Sequence, residues 1–315
     1  MSSRFLIYSL LKEKKAPLSG ERISRELGIS RVAVWKQIQA MKAAGWAIEA
    51  QAKGYRLREE SDLLVPWVFP FPEERIAYFP QIPSTMEEAR RLEAAGCADG
   101  TLIIAEEQSR GRGRLQREWH SPRGGLYFNL VIRPGTPLAR GSLYSLAAAV
   151  ALAKAVRESS GLPAQVKWPN DILIGEKKVA GILLEARGEM DRLASLSIGV
   201  GVNVNTPLED AIAGATSLGQ EAGRALQRRE LLIRFLSHFE AAAADLRAES
   251  AGRGMLADWR RHSATLGRRV EIVTPTGTIA GIARGVDPLG ALLVEKADGA
   301  VEPVICGDCL HGSIV

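Results

Sequence analysis

The 315-residue chain is short of several things. Cysteine occurs only at positions 97, 306 and 309. Three unevenly spaced thiols cannot build a disulfide framework, which points to a reducing, cytoplasmic setting. Long apolar runs are also missing, none approaching the roughly 18 residues that span a bilayer, so no membrane partner is expected. The N-terminal stretch is apolar for only a few residues before Lys12 and lacks a small-residue cleavage site. It does not read as a signal peptide. Negative charge is scarce in one place only. Residues 1–60 carry 6 acidic against 12 basic side chains, whereas the rest carry 30 against 29. Nearly all of the net charge of +5 therefore sits in the first fifth of the chain. That asymmetry describes a nucleic-acid-binding head on an electrically neutral body.

What is present in the head is a helix-turn-helix pattern. Ser19 caps a helix through Leu27, Gly28-Ile29 makes a tight turn, and Ser30 caps a second helix. Val34, Ile38 and Met41 recur at helical spacing as a buried stripe. Arg31, Trp35, Gln39 and Lys42 fall mostly on the opposite side, the basic and amide-bearing face that a recognition helix presents to a major groove. Gly45 ends the helix, and two short alternating strands follow around Lys53-Gly54 as a wing. Ser30, Arg31, Trp35, Lys36, Gln39 and Lys53 are the candidate DNA-contacting residues. The bland alternative is a small packing module with a merely solvated basic face.

Prolines 66, 70, 72, 80 and 83 then crowd a stretch that cannot continue a helix or central strand, which reads as a stiff connection. Beyond it, helical segments (Met86–Ala95, Leu143–Glu158, Leu231–Leu246) alternate with apolar strands (Thr101–Ala105, Tyr127–Ile132, Ile182–Ala186, Leu196–Val204). Two strands close together after Lys167 argue for a mixed sheet rather than strict βαβ winding. From Gly267 onward short strands and Thr-Gly, Asp-Pro-Leu-Gly and Asp-Gly turns read as a small all-β barrel of about fifty residues. The expected division is 1–62, 63–266 and 267–315, an α+β chain of three parts.

Four places in the body interrupt apolar elements with polar residues. Ser84 and Glu87 have the spacing of a capping box, the reading that spacing alone favours, and the alternative puts the Ser84 and Thr85 hydroxyls at the mouth of a pocket. After Gln108 comes a loop with Arg110, Arg112, Arg114 and Arg117 interleaved with Gly111 and Gly113, followed by Trp119. Glycine lets backbone approach an anion, arginine binds phosphate or carboxylate bidentately, and tryptophan offers a stacking face. The loop alone does not distinguish a nucleic-acid arm from a holder of one small anion. Third, Lys167-Trp-Pro-Asn-Asp171 ends a strand, and Lys178 begins the next, where a half-buried ammonium needs an anion beside it. Fourth, Gly199 and Gly201 with Asn203 and Asn205 mark a strand that something approaches closely. Cys306, Cys309 and His311 supply three metal-ligand types without a fourth, and metal binding is not expected there.

Together these residues resemble the biotin–protein ligases, specifically the bifunctional type that also represses biotin operons. The motifs that carry the resemblance stand in order at Gly111–Arg114, Arg117–Tyr127, Lys167–Asp171, Lys178–Glu185 and Gly199–Asn205. The resemblance covers nearly the whole chain. It implies a winged helix-turn-helix, a mixed α/β catalytic domain akin to class II aminoacyl-tRNA synthetases, and an SH3-like barrel. It also implies ATP and biotin as substrates, Mg2+ with the triphosphate, a biotin carboxyl carrier protein as acceptor, operator DNA and a homodimer as partners.

By matching position the resemblance implies that Ser84, Thr85, Gln108, Gly111, Arg112, Arg114, Lys178 and Gly181 hold biotin. Trp119, Lys167, Asn170, Gly199, Gly201 and Asn203 serve the nucleotide, and Lys178, Arg112, Arg114 and Asp171 carry the chemistry. Four positions depart from the family pattern: Pro83, Arg110, Gln116 and Asn129 stand where Asp, a small residue, Gly, and Ser or Thr are usual. One rival is a regulator whose body only senses biotin, against which Lys178 and the whole loop are retained. A lipoate ligase is a second, but its Arg-Arg-x-x-Gly-Gly-Gly stretch is absent. A working ligase whose head no longer binds DNA is a third.

Overall fold

A computed structural model describes residues 2–14, 16–58, 61–189, 191–208, 214–248 and 252–314, and within these the side chains of Gln116, Glu189, Ser313 and Ile314 are left aside. The Gln116 departure therefore lies outside the described side chains. The chain divides into two compact units, residues 1–78 and 79–315.

In the first unit, α1 (Ser3–Glu13) is followed by α2 (Gly20–Leu27) and α3 (Arg31–Ala43). The hydroxyls of Ser19 and Ser30 accept the bonds from Arg22 and Ala33 N–H that fix where α2 and α3 begin. Gly28 ends α2 at a φ of 65°, a left-handed position that costs glycine nothing. Val34, Ile38 and Met41 are fully buried, as their spacing requires. The wing is β1 (Ile48–Gln51) paired antiparallel with β2 (Gly54–Leu57).

Helix α1 was not anticipated, because its few apolar residues are diluted by Lys12 and Glu13. Ile7, Tyr8 and Leu11 nevertheless form a stripe at spacings of 1, 3 and 4, and Tyr8 meets Trp46 edge-on at 5.0 Å. The start of the proline-rich stretch is also more than a connector. Leu64, Val65, Trp67, Val68 and Phe69 are buried in this unit, and the Arg4 guanidinium lies 5.0 Å above Trp67. Strand β3 (Ile76–Phe79) runs through the boundary between the units.

The second unit begins with α4 (Thr85–Ala94), β4 (Thr101–Ala105), β5 (Leu126–Ile132) and α5 (Gly141–Ser160). Next come β6 (Gln165–Lys167), β7 (Asp171–Ile174), β8 (Lys177–Glu189) and β9 (Arg192–Val202). Helices α6 (Leu218–Ala222), α7 (Arg228–Arg247) and α8 (Arg253–His262) follow. The strands order as β4-β5-β9-β8-β7-β6, antiparallel at every one of these pairings. Parallel character enters through isolated bridges such as Ile82–Gln108.

Alternation along β5 sets the two faces of this sheet. Phe128 points to α7, its ring 5.1 Å from Phe235, while Asn129 points to Met86 of α4. The departure at Asn129 is accommodated there, its side-chain oxygen accepting from Ser197 Oγ at 3.0 Å. On the α7 face the alanine-rich α5 is buried along nearly its whole length, small side chains letting α7 and α8 pack closely. The face under α4 is left with Gly199 and Gly201, and it carries the site.

The last segment is a five-stranded antiparallel sheet of β10 (Arg268–Thr274), β11 (Gly277–Val286), β12 (Leu292–Glu295), β13 (Val301–Val304) and β14 (Asp308–Ile314). Its order is β13-β12-β11-β10-β14. Trp168 ties it to the larger sheet. Its backbone N–H donates to Thr265 Oγ1 at 2.9 Å, and its indole reaches Gly290 carbonyl at 3.4 Å.

Candidate active site

A cavity of about 1150 Å³ opens in the second unit, over the glycine-bearing strands. Its floor is β8 and β9. A Cβ at Gly201 would stand 2.4 Å from the Trp119 indole nitrogen, and one at Gly199 2.5 Å from Met86 Sδ. Both glycines are there because a side chain would collide with what crosses them. Trp119 lies across Gly201 and Gly181 with its indole N–H buried and without a partner. Lys178 Nζ sits 5.3 Å above the same ring.

The strand expected to end at Asp171 ends at Lys167 instead. Lys167 ends β6, residues 168–170 turn, and Asp171 opens β7 opposite Lys167, so three strands rather than two make the unit. The reason is that Pro169 breaks the first strand early enough for the next to start at Asp171. Asp171 then pairs across the ladder with Gly181, and its carboxylate lies 2.7 Å from Lys178 Nζ. The anion that a half-buried lysine demands is thus Asp171 itself. Asn170 is buried, its amide donating to Ile182 carbonyl and its oxygen accepting from Arg114 at 3.2 Å.

The arginine loop is held at both ends and along its length. Gln108 Oε1 accepts from Thr85 N–H at 2.8 Å and Thr85 Oγ1 at 3.0 Å, and its amide donates to Ser121 Oγ at 3.0 Å. Gly111 lies where a Cβ would be 2.3 Å from Trp119 carbonyl, so it contributes backbone and does not line the cavity. Arg112 bonds Glu87, and Arg110 lies 3.6 Å from the same carboxylate. Arg114 also donates to Gly307 carbonyl at 2.9 Å, and Arg117 pairs with Asp308. At the base, Arg228 donates to Gly125 carbonyl and lies 2.8 Å from the buried Glu106 carboxylate, clamping the two stems together. Tyr127 OH donates to Pro122 carbonyl, and burial pushes its phenol up to about 12.

Helix α4 starts where the sequence places it, with Ser84 at its N-cap, but the capping box does not form. Glu87 is drawn away to Arg112 and cannot reach back, and Ser84 Oγ is buried without a partner. Pro83 fits this start, its carbonyl accepting from Arg110 N–H at 2.8 Å.

Most of the residues singled out from sequence meet in this cavity: Thr85, Gln108, Arg112, Arg114, Trp119, Lys167, Asn170, Asp171, Lys178, Gly181, Gly199, Gly201 and Asn203. Ser84 and Gly111 sit behind its wall. Asn203 is buried, its amide donating to Thr216 carbonyl at 3.2 Å. Sequence reasoning did not find Asp308 or Arg228, which reach the loop from β14 and α7. The spacing at Glu87 was noticed but read as a cap. Next to the lining residues Cys309 and Leu310 along β14, His311 Nε2 shares a hydrogen bond with Thr265 Oγ1 at 3.0 Å. Burial, then Lys167 and Arg268, push its imidazole down to about 4, while burial pushes the Cys309 thiol up to about 11.

The first unit has its own cleft, between α3 and the wing, lined by Arg31, Trp35 and Lys53. Lys36 and Gln39 are exposed on α3, and the Ser30 hydroxyl is spent on capping it. Trp35 is 53% exposed, an unusual cost for an indole unless a partner covers it.

Residues 78–203 match the biotin/lipoate A/B protein ligase family, residues 3–56 an HTH domain, and residues 265–312 the biotin protein ligase C terminal domain. The chain is 36% identical over 294 residues to the bifunctional ligase/repressor BirA of Bacillus subtilis strain 168, covering 90% of each. It is 33% identical over 300 residues to that of Escherichia coli K12, covering 92% of this chain and 91% of the other. Among solved structures, a biotin protein ligase from Aquifex aeolicus in complex with biotin and ATP superposes with a TM-score of 0.66 at 28% identity. That match covers 75% of this chain and 98% of the other.

Proposed function

We propose, for a chain that belongs to the biotin protein ligases of the bifunctional ligase/repressor kind, that it joins biotin to a lysine of a biotin carboxyl carrier protein and uses ATP to do so. The observation that carries this reading is one cavity in which Lys178, Arg112, Arg114 and Asn170 converge over a floor reduced to glycine.

The reaction has two steps. Biotin's carboxylate attacks the α-phosphate of ATP, forming a mixed anhydride and releasing pyrophosphate. The acceptor amine then attacks the acyl carbon, forming the amide and releasing AMP. The first step brings two anions together, so fixed cations must offset the charge that builds up. Lys178, Arg112 and Arg114 fill that role. In the second step the acceptor lysine must lose a proton that it normally keeps at neutral pH. Asp171 is the candidate to take it, once Lys178 exchanges the Asp171 carboxylate for phosphate.

Biotin's ureido ring is assigned to Ser84, Thr85 and Gln108, with Gly111 and Gly181 meeting it through backbone. The unpartnered buried hydroxyl of Ser84 supports this, since a buried polar group needs a bond. Trp119 packs against adenine, and Lys167, Asn170, Gly199, Gly201 and Asn203 serve the nucleotide. Among the described residues no three His, Cys, Asp or Glu side chains stand together as a metal cage. Mg2+ is expected to arrive with the triphosphate as part of that substrate.

The head is assigned to operator DNA through Ser30, Arg31, Trp35, Lys36, Gln39 and Lys53, with a homodimer as the repressing form. A three-part division at 1–62, 63–266 and 267–315 goes with this reading. The central part is akin to class II aminoacyl-tRNA synthetases and the last is an SH3-like barrel, working in the cytoplasm. Among the described residues no helix is long and apolar enough to cross a membrane. The test is transfer of labelled biotin from biotin and ATP to a carrier domain. Transfer that needs both substrates is expected, and none by the native chain overturns the reading.

A further inference from the structure

Glu87 is the third residue of α4 and stands at the edge of the cavity rather than in its lining. Its carboxylate bonds Arg112, which does line the cavity, and lies 3.6 Å from Arg110. The next residue, Glu88, is an internal comparison. It bonds Arg91 on its own helix, outside the cavity lining. Two neighbouring acids on one turn thus have different duties. Glu88 makes a local helix pair, whereas Glu87 reaches 25 residues along the chain to a cation assigned to the ligand. Glu87 could instead have closed a capping box with Ser84, and that box is not made.

A guanidinium has a limited number of donors, and its attraction for a second anion is weakened by a first one beside it. We propose that Glu87 competes with the adenylate phosphate for Arg112, and so sets how tightly this chain holds an anionic ligand. Binding exchanges one oxyanion for another on the same guanidinium. Glu87 moves into water as the phosphate takes its place, which its half-exposed position allows. The inference rests on the assignment of Arg112 to the ligand's anion.

The experiment compares binding of a non-hydrolysable biotinyl-adenylate analogue to the full-length wild type, Glu87→Gln and Glu88→Gln by calorimetry. Biotin methyl ester, which carries no charge, is the control ligand. Glu87→Gln is expected to bind the analogue roughly three- to fivefold more tightly, the size of one partly exposed ion pair. Its affinity is also expected to fall more steeply with salt than that of the wild type. The ester should bind all three proteins alike, and Glu88→Gln should match the wild type throughout. An unchanged or weaker analogue affinity in Glu87→Gln overturns the competition, and so does an equal gain for the ester. If the wild type itself fails to bind the analogue, the functional reading falls and takes the competition with it.

Discussion

On α3 of the first unit, Arg31, Lys36 and Lys42 are exposed, and none of them is in an ion pair seen among the described residues. Around the cavity of the second unit, Arg112 rests on Glu87, Arg117 on Asp308 and Lys178 on Asp171. The difference follows the size of the anion each is suited to. A duplex offers a dense line of phosphates, and loosely held cations gain affinity there by releasing counterions. One metabolite offers a few oxygens in fixed positions, so its cations must be held in place beforehand. Carboxylates do the holding, and in the proposal above Glu87 then competes with the ligand for Arg112.

The largest expected effect comes from the cation that is paired and buried most deeply. Arg228 and Glu106 side chains are 5% and 3% exposed. Arg228→Met removes the guanidinium 2.8 Å from the buried Glu106 carboxylate and should cost about 3–5 kcal/mol in urea unfolding. A loss below about 1 kcal/mol would mean that this pair behaves like a surface one. Next comes Lys178→Ala, where the fold should survive but adenylate formation should drop about 10²- to 10³-fold. Pyrophosphate exchange measures it, and a drop below tenfold would remove Lys178 from the group that meets the developing charge.

His311 probes the cation-rich side of the cavity from another direction. Its imidazole is held down at about 4, against about 6.5 when unfolded. The unfolded chain therefore takes up the proton first as pH falls, so the stability this gives is full above about 6.5 and is lost between there and about 4. Urea midpoints across that range should show the decline, and His311→Gln should flatten it by about 1–2 kcal/mol. An identical decline in the variant assigns the acid sensitivity elsewhere. The smallest effect belongs to an exposed cation of the head. Lys36→Ala should weaken DNA binding alike across sequences and reduce the salt slope by about 1. A sequence-selective loss would mean that Lys36 touches bases.

The head was readable in detail because its signals are local. Ser19, Gly28 and Ser30 mark helix ends within a few residues, and the stripe of Val34, Ile38 and Met41 needs only helical geometry. Strand β4 matched its expected bounds for a similar reason, an apolar run between turn residues. Helices α1 and α8 escaped notice because their stripes are short and mixed with charge. What covers those stripes, Trp46 for α1 and the α5–α7 layer for α8, comes from elsewhere in the chain. In the site, residue types revealed the cations and the glycines. They did not reveal that Asp171 would pair with Lys178, or that the Ser84 hydroxyl would make no capping bond.

The order of chemical types along the chain determined its family, the starts of α2 and α3, and the places where glycine must stand. Each of those depends on a residue and its near neighbours, through caps, periodicity and the room a side chain needs. Only the tertiary structure decided which acid meets which base. Arg112 finds Glu87 across 25 residues, Arg228 finds Glu106 across 122 and Arg117 finds Asp308 across 191. A charge acts over a few ångströms, and sequence separation says nothing about that distance until helices and sheets have packed.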